Sequence, residues 1–236
     1  MENTFNIKNR RIILVILVFV LGFNSCTKDL DKVPTNGITS DAQYSTTAGY
    51  KQSLVSIYSN LAYSNFLRYF WGMQEYTTDE AVSTWNDDGG VATYHDLAWS
   101  ADLPALSNVY NAALSTITYC NNYINESSDG SIAKRGFTGS DAAVIQKYRA
   151  EARFLRAYCF WVLMDCYGNP PFPTEESLGT TSPKQIQRKD LFVFIEKELK
   201  DIEPLLADAR TNEWGRPDKA AAWALAPRGA TNTAIS

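Results

Sequence analysis

The chain has 236 residues, of which 45% are hydrophobic and 20% charged, so it can bury the core of one large or two small domains. Its formal net charge is −4 and its basic residues form no patch, which makes nucleic acid a poor candidate partner. Its one histidine, His95, leaves little material for a zinc site or a catalytic triad. We therefore expect no enzyme activity, metal or cofactor.

The N-terminus has the pattern of a secretion signal. Lys8, Arg10 and Arg11 precede an uninterrupted apolar run at residues 12–21. Ten residues are too few to span a bilayer, which takes about 20, but they suit the apolar region of a signal peptide. The sequence therefore predicts a signal peptide over residues 1–25, whose removal leaves 19 basic and 25 acidic residues, a net charge of −6.

A lipid attachment site is predicted at Cys26. A small residue, Ser25, directly precedes this cysteine, as in a bacterial lipobox, although Phe23 and Asn24 depart from the usual leucine and small residue. Acylation of Cys26 with palmitate-type chains would anchor the protein stably, because stable anchoring takes more than one chain. The alternative is simple secretion with Cys26 free.

Residues 26–46 are predicted to form a polar tether, interrupted by Pro34 and Gly37. Ser45 or Thr47 is the expected N-cap of the first helix. The apolar stripe of that helix steps by four, three and four residues through Tyr50, Leu54, Ile57 and Leu61. Residues 66–80 follow, rich in aromatics and less periodic, with Asp79 and Glu80 expected to cap or pair.

Residues 85–100 are the stretch whose sequence least resembles a packed structural element. Turn-forming residues follow a tryptophan here, and loops on rigid scaffolds commonly carry binding residues. A flat ring can stack on a sugar while carboxylates and amides bind its hydroxyls. The candidate ligand-binding residues are Trp85, Asn86, Asp87, Asp88 and Tyr94. The alternatives are an ordinary turn over a packed tryptophan, or a calcium site, for which the oxygen ligands lack a recognisable spacing.

The next predicted helix has the most regular stripe, with Pro104 near its first turn. The stripe consists of Leu106, Tyr110, Ala113, Ile117, Cys120 and Ile124. A Gly/Ser loop is expected over residues 127–141, leading into the next helix at Asp141.

A long, buried central helix is predicted around Ala150–Phe172. It is apolar almost all round, which requires other helices on several sides, and Gly168 is expected to end it. Its internal charges should be paired, because lone buried charges are prohibitive; they are Glu151, Arg153, Arg156 and Asp165.

Buried free thiols are the expected state of the other cysteines. Cys159 and Cys166 lie seven residues apart on one helix, roughly 10 Å, which is too far for a disulfide. Cys120 could pair with only one of them.

After a polar loop at residues 174–189, another helix is predicted, with Glu196 and Lys200 paired on its solvent side and Pro204 at its end. Its stripe is Leu191, Ile195, Leu199 and Ile202. A last, alanine-rich helix should break after about two turns at Pro227 and Gly229, leaving an aberrant tail at residues 226–236.

Several of these stretches resemble, in order, the SusD/RagB family of outer-membrane nutrient-binding lipoproteins. The main one is EARFLRAYCFWVLMDCYGNPPF at residues 151–172; the others are DLDKVPTN, TTDE, YCNNYINE, LFVFIEKELKDIEPLL and EWGRPDKAAAWAL. The resemblance covers residues 26–225 and stops there, which is less than half of a family member. A truncated chain is therefore expected.

Long helices joined by polar loops predict an all-α fold. The resemblance implies TPR-like helical hairpins over residues 47–225, with irregular loops forming the ligand face. A strict 34-residue repeat is not visible in the sequence.

The resemblance also implies a function. Family members are lipid-anchored at the cell surface, capture oligosaccharides and deliver them to a TonB-dependent (SusC-like) transporter. Three alternatives stay open: a truncated fragment without function, a surface glycoside hydrolase, or a TPR-like adaptor that binds other proteins. The hydrolase would need two carboxylates from among Asp79, Glu80, Asp87 and Asp88, which lie close together in sequence although opposing carboxylates usually come from different elements.

Overall fold

The computed structural model describes residues 37–84, 90–179 and 182–233. These residues are mostly helical, and their only β-type pairing is an isolated antiparallel bridge between Pro171 and Gln185. The all-α prediction is confirmed. The predicted signal peptide, Cys26 and most of the predicted tether lie outside the described residues.

The described ranges contain α1 (Ser40–Gln43), α2 (Thr47–Ala62), α3 (Ser64–Glu75), α4 (Ala92–His95), α5 (Pro104–Glu126), α6 (Asp129–Lys134), α7 (Gly139–Tyr167), α8 (Arg188–Ile202) and α9 (Lys219–Thr233). Short 3-10 turns occur at Glu175–Ser177 and Glu203–Leu205. The chain divides into two compact units, residues 1–42 and 43–236. In neither unit does a described helix combine the length and apolar character needed to cross a membrane.

The N-cap of the first long helix, α2, lies one residue from each of the two predicted N-caps. Thr46, rather than Ser45 or Thr47, has the extended backbone of an N-cap, and its hydroxyl accepts a hydrogen bond from the amide of Gly49 at 3.0 Å. Gly49 is required here, because an added Cβ would stand 1.8 Å from the carbonyl oxygen of Gln43. The predicted apolar stripe of α2 is buried. It consists of Tyr50, Leu54, Ile57 and Leu61.

Helix α7 is the centre of the fold, as predicted. It packs against α2, α5, α8 and α9, and its contact with α5 is the most extensive between any two described helices. It ends at Gly168, whose φ of +75° is the left-handed conformation that glycine adopts readily. The stripe of α5 is rotated slightly from the predicted one, because Ala105 and Val109 are buried while Leu106 and Tyr110 are half-buried.

Three of the four charges predicted to be paired inside α7, Glu151, Arg153 and Arg156, form ion pairs, and the fourth, Asp165, is exposed. Glu198 on α8 accepts from Arg153 at 2.6 Å and from Arg156 at 2.7 Å. Burial opposes ionisation of Glu198, but the hydrogen bonds and charges of the two arginines outweigh it and hold its pKa below the usual value. Arg156 also bonds Asn121 on α5 at 2.8 Å and Glu175 at 2.5 Å. These contacts join α7 to α5, which comes earlier in the sequence, and to α8, which comes later.

The described cysteines are free, as predicted. Cys120 and Cys159 are buried and Cys166 is half-buried. Burial raises the pKa of the Cys120 and Cys166 thiols to about 12, which keeps both protonated and unreactive at neutral pH.

Two predictions about the connecting segments are wrong. Helix α6 forms inside the predicted Gly/Ser loop, because Ser128 caps it through the amide of Ser131 at 3.3 Å and Ile132 is buried.

Helix α9 continues to Thr233, through Pro227 and Gly229, where the sequence predicted a break. A proline removes one amide donor and disfavours the helix locally, but α9 is already fixed by the buried Ala222 and Leu225, and the local cost does not end it.

Candidate ligand-binding surface

The predicted ligand-binding segment lies mostly outside the described residues. Trp85, Asn86, Asp87 and Asp88 are among those not described, so their part in a site stays a prediction. Tyr94 is described, and so is the segment that follows Gly90. The surface can therefore be examined through the residues to which the segment is attached.

Tyr94 lies in a small apolar cluster, separate from the main core. Its buried members are Val91, Tyr94, Leu103 and Ala105, which we call the Tyr94 cluster. Tyr69, Met73 and Tyr76 of α3 pack against it, together with Leu106. Gly90, with φ of +80°, begins the turn into α4, and a Cβ there would stand 2.3 Å from Leu103. This glycine therefore lets the loop approach the cluster closely.

The Tyr94 side chain is a support rather than an exposed platform. Its ring is 1% exposed, and its buried hydroxyl has no hydrogen-bond partner among the described residues. Burial, with smaller effects of Cys166 and Tyr69, raises the pKa of Tyr94 to about 12. A ring this buried would have to be uncovered before it could stack on a sugar. Tyr94 therefore packs inside the Tyr94 cluster, and its contact with a ligand stays a prediction.

Two partly exposed tryptophans are connected to the Tyr94 cluster. Trp99 is 42% exposed, and its ring centroid lies 5.7 Å from that of Tyr94 at an interplanar angle of 74°. Trp71 is 49% exposed and packs edge-on against Tyr76 at 5.3 Å. Aromatic rings fixed by such contacts at the surface offer flat apolar faces to a ligand.

Neither Trp71 nor Trp99 was predicted from the sequence to belong to the site. Trp71 lies in the aromatic-rich stretch 66–80, and Trp99 lies in the loop-like stretch 85–100. The missing signal for Trp71 was its position directly after Phe70, which is buried four residues from Phe66. A neighbour in sequence points about 100° away on a helix, so the residue after a buried position falls on another face. Exposure of Trp99 depends on the loop and has no such sequence signal.

Exposed polar groups follow α3 in sequence. Asp79 and Glu80 are both exposed, and the hydroxyl of Thr78 accepts a hydrogen bond from the amide of Glu80 at 3.1 Å. Among the described residues, no cluster of histidine, cysteine or carboxylate side chains could hold a metal ion. The described part of the surface therefore provides two partly exposed rings, which can pack against a sugar or a peptide.

The family described as "starch-binding associating with outer membrane" (SusD-like) matches residues 30–229. The chain belongs to this SusD-like family, as the resemblance predicted. The match extends four residues past Leu225, where the resemblance was expected to stop.

Individual relatives agree with the family match. The chain is 28% identical over 228 residues to the starch-binding protein SusD of Bacteroides thetaiotaomicron, covering 91% of this chain and 39% of that protein. A SusD superfamily protein of the same species has a TM-score of 0.67 at 19% identity, over 80% of this chain and 43% of the other. A laminarin-binding SusD-like protein has a TM-score of 0.65 at 18% identity, over 80% and 40%.

The structural likenesses, at 18 and 19% identity, establish the fold alone. The chain also spans well under half the length of the relatives it matches. What those proteins bind is therefore carried to this chain only as a proposal.

Proposed function

We propose that this chain is a non-catalytic, surface-exposed glycan-binding protein of the outer membrane. The observation that carries the proposal is the family match over residues 30–229, to a family described by starch binding and outer-membrane association. Two relatives named for starch and laminarin binding support a glucan as the ligand class.

The proposed ligand contacts are the ring of Trp85 and the polar groups of Asn86, Asp87 and Asp88. The described surroundings support this assignment, because Gly90 and Val91 attach the segment to the Tyr94 cluster, which also carries Trp99. Rings and planar polar groups together can distinguish the apolar face of a pyranose from its hydroxyl edge. Tyr94 would act by supporting this segment from below.

We propose further that lipid at Cys26 anchors the protein at the cell surface and that a TonB-dependent transporter receives its cargo. The apolar run before Cys26 and the small residue at Ser25 support the anchor. The transporter is proposed from family membership. Cys26→Ala should abolish palmitate labelling and release the protein from membranes, and unchanged labelling would contradict the anchor.

The ligand site is tested by Trp85→Ala in the full chain. We expect binding to starch and laminarin oligosaccharides, measured by isothermal titration calorimetry, to fall about tenfold or more while helix content by circular dichroism stays the same. Trp223→Ala is the control, because Trp223 is 54% exposed on α9 and lies outside residues 85–100. Equal affinities of Trp85→Ala and the parent would remove Trp85 from the site.

A further inference from the structure

Trp214 is fully exposed, with a relative accessibility of 100%. Trp71, Trp99 and Trp223 are 42–54% exposed, and Trp161 is buried. An indole side chain is the largest apolar group in proteins, so leaving all of it in water forfeits the stabilisation that burial would give. An aromatic ring held at the surface in this way offers a flat apolar face to a ligand.

The turn that carries Trp214 is held rigidly on both sides. Arg216 forms a two-point ion pair with Glu151 of α7, at 2.9 Å from Nε to Oε2 and 2.6 Å from Nη2 to Oε1. Glu213 pairs with Lys51 of α2 at 2.7 Å. The residues directly before and after the Trp214–Gly215 step are therefore tied to two different helices.

Backbone contacts add to this rigidity. The side-chain nitrogen of Asn212 donates to the backbone carbonyl of Pro217 at 2.7 Å. The side-chain oxygen of Asn212 accepts from the backbone amide of Glu213 at 2.9 Å. Gly215 has φ of +82°, a conformation that favours glycine. A ligand that binds here would order little additional chain, which favours affinity.

Trp214 lines a hollow of about 260 Å³ between α2 and the turn. Val55 and Tyr58 of α2 contribute apolar surface, and Lys51, Glu213 and Arg216 contribute charged groups. These charges are already paired, since Oε1 of Glu213 lies 2.7 Å from Lys51 and 3.2 Å from Arg216. Lys51 and Glu213 remain 41% and 60% exposed, so both can still hydrogen-bond to a ligand.

The hollow adjoins a larger cleft. Arg216 lines both spaces, and the cleft, of about 670 Å³, is walled by Tyr148, Asn212 and Lys219 among others. Arg216 also lies over the ring of Tyr148, at 5.1 Å from its centroid. The shared Arg216 side chain places the two spaces next to each other.

We infer that Trp214 is a second glycan contact, with a neutral pyranose stacked on its indole ring and its hydroxyls bound by Lys51 and Glu213. A neutral ligand fits because each charged group of the hollow already has a partner of opposite sign. A sugar fits better than an apolar peptide, since one flat ring is surrounded by donors and acceptors. This inference rests on the proposed function and adds a binding position outside the 85–100 segment.

The test compares Trp214→Ala, Trp214→Phe and the control Trp223→Ala in the full chain. Isothermal titration calorimetry with starch and laminarin oligosaccharides measures binding. We expect Trp214→Ala to weaken the better-bound glycan about five- to tenfold, Trp214→Phe to restore most of the loss, and Trp223→Ala to stay within about twofold. Because Trp214 is fully exposed, its substitution should leave the melting temperature nearly unchanged.

The outcomes separate this inference from the proposed function. If the parent binds a glycan and Trp214→Ala binds it equally well, the second contact is wrong and the proposed function stands. That result, combined with loss of association with a partner protein, would make Trp214 a protein-binding residue. If the parent binds neither starch nor laminarin oligosaccharides, both the function and the second contact are contradicted.

Discussion

Two tryptophan-bearing segments of this chain are held in different ways. Residues 90–103, with Trp99, rest on the apolar Tyr94 cluster. The turn around Trp214 is held by ion pairs, Glu151 with Arg216 and Lys51 with Glu213. Apolar contacts can slide and repack, whereas a two-point ion pair fixes direction as well as distance. We therefore expect the first segment to adapt to its ligand and the second to be preformed.

The two segments also differ in how visible they are from sequence. In residues 85–100, turn residues and tryptophan are neighbours, so composition alone selects the segment. The turn around Trp214 depends on partners that lie 65 and 162 residues away in sequence. A sequence motif does not reveal contacts between residues so far apart. From the sequence, Trp214 is recognisable only as part of a stretch that resembles the SusD-like family.

The largest expected effect is a loss of stability when the turn around Trp214 loses its ion pair with α7. Glu151→Ala removes the two-point carboxylate partner of the Arg216 guanidinium, which is 14% exposed, and leaves it only the single contact with the exposed Glu213 at 3.2 Å. Loss of one member of a buried pair lowers the free energy of unfolding by about 3–5 kcal/mol. Urea unfolding followed by circular dichroism measures this, with Glu196→Ala in the exposed Glu196–Lys200 pair as control, expected to change by about 0.5 kcal/mol or less. Equal changes in the two variants would contradict the role of Glu151.

A pH titration tests the neighbouring pairs of α7. The folded-state pKa of Glu198 lies below its ordinary value of 4.5, so its contribution to stability is complete above that value. The contribution is lost as pH falls through the folded-state pKa. Between pH 6 and pH 3, the parent should lose on the order of 1 kcal/mol more stability than Glu198→Gln. Parallel stability curves for the two proteins would show that Glu198 gains nothing from Arg153 and Arg156.

A smaller effect is expected in the Tyr94 cluster. Tyr94→Phe removes a buried hydroxyl that has no partner in the described structure, so unfolding free energy should stay the same or rise by up to about 1 kcal/mol. Tyr167→Phe is the control, because the Tyr167 hydroxyl donates to the carbonyl of Leu106 at 2.7 Å and its loss should lower stability by about 1 kcal/mol. A clear loss in Tyr94→Phe would mean that its hydroxyl is bonded, for example to water.

Much of the fold could be predicted because helix periodicity is a local signal. The stripes of α2 and α8, the end of α7 at Gly168 and the pairing of the charges in α7 follow from spacing and from the cost of burying charge. Helix α6 could not be predicted, because its one buried residue, Ile132, gives no period. Which arginine meets which carboxylate also depends on tertiary packing.

The candidate site was less predictable than the fold. Composition selected residues 85–100, but it could not separate an exposed ring from a buried one. Tyr94 proved to be buried, and Trp71 and Trp99 proved to be exposed. Exposure depends on which residues from other helices cover a side chain, and that information is not local.

The central claim is that this chain binds glycan, and direct titration tests it. Starch and laminarin oligosaccharides would be titrated separately into the full chain in a calorimeter. Saturable binding to at least one of them, with an affinity that both Trp85→Ala and Trp214→Ala weaken, is the predicted result. Absence of binding by a chain whose circular dichroism shows the helical fold would contradict the account.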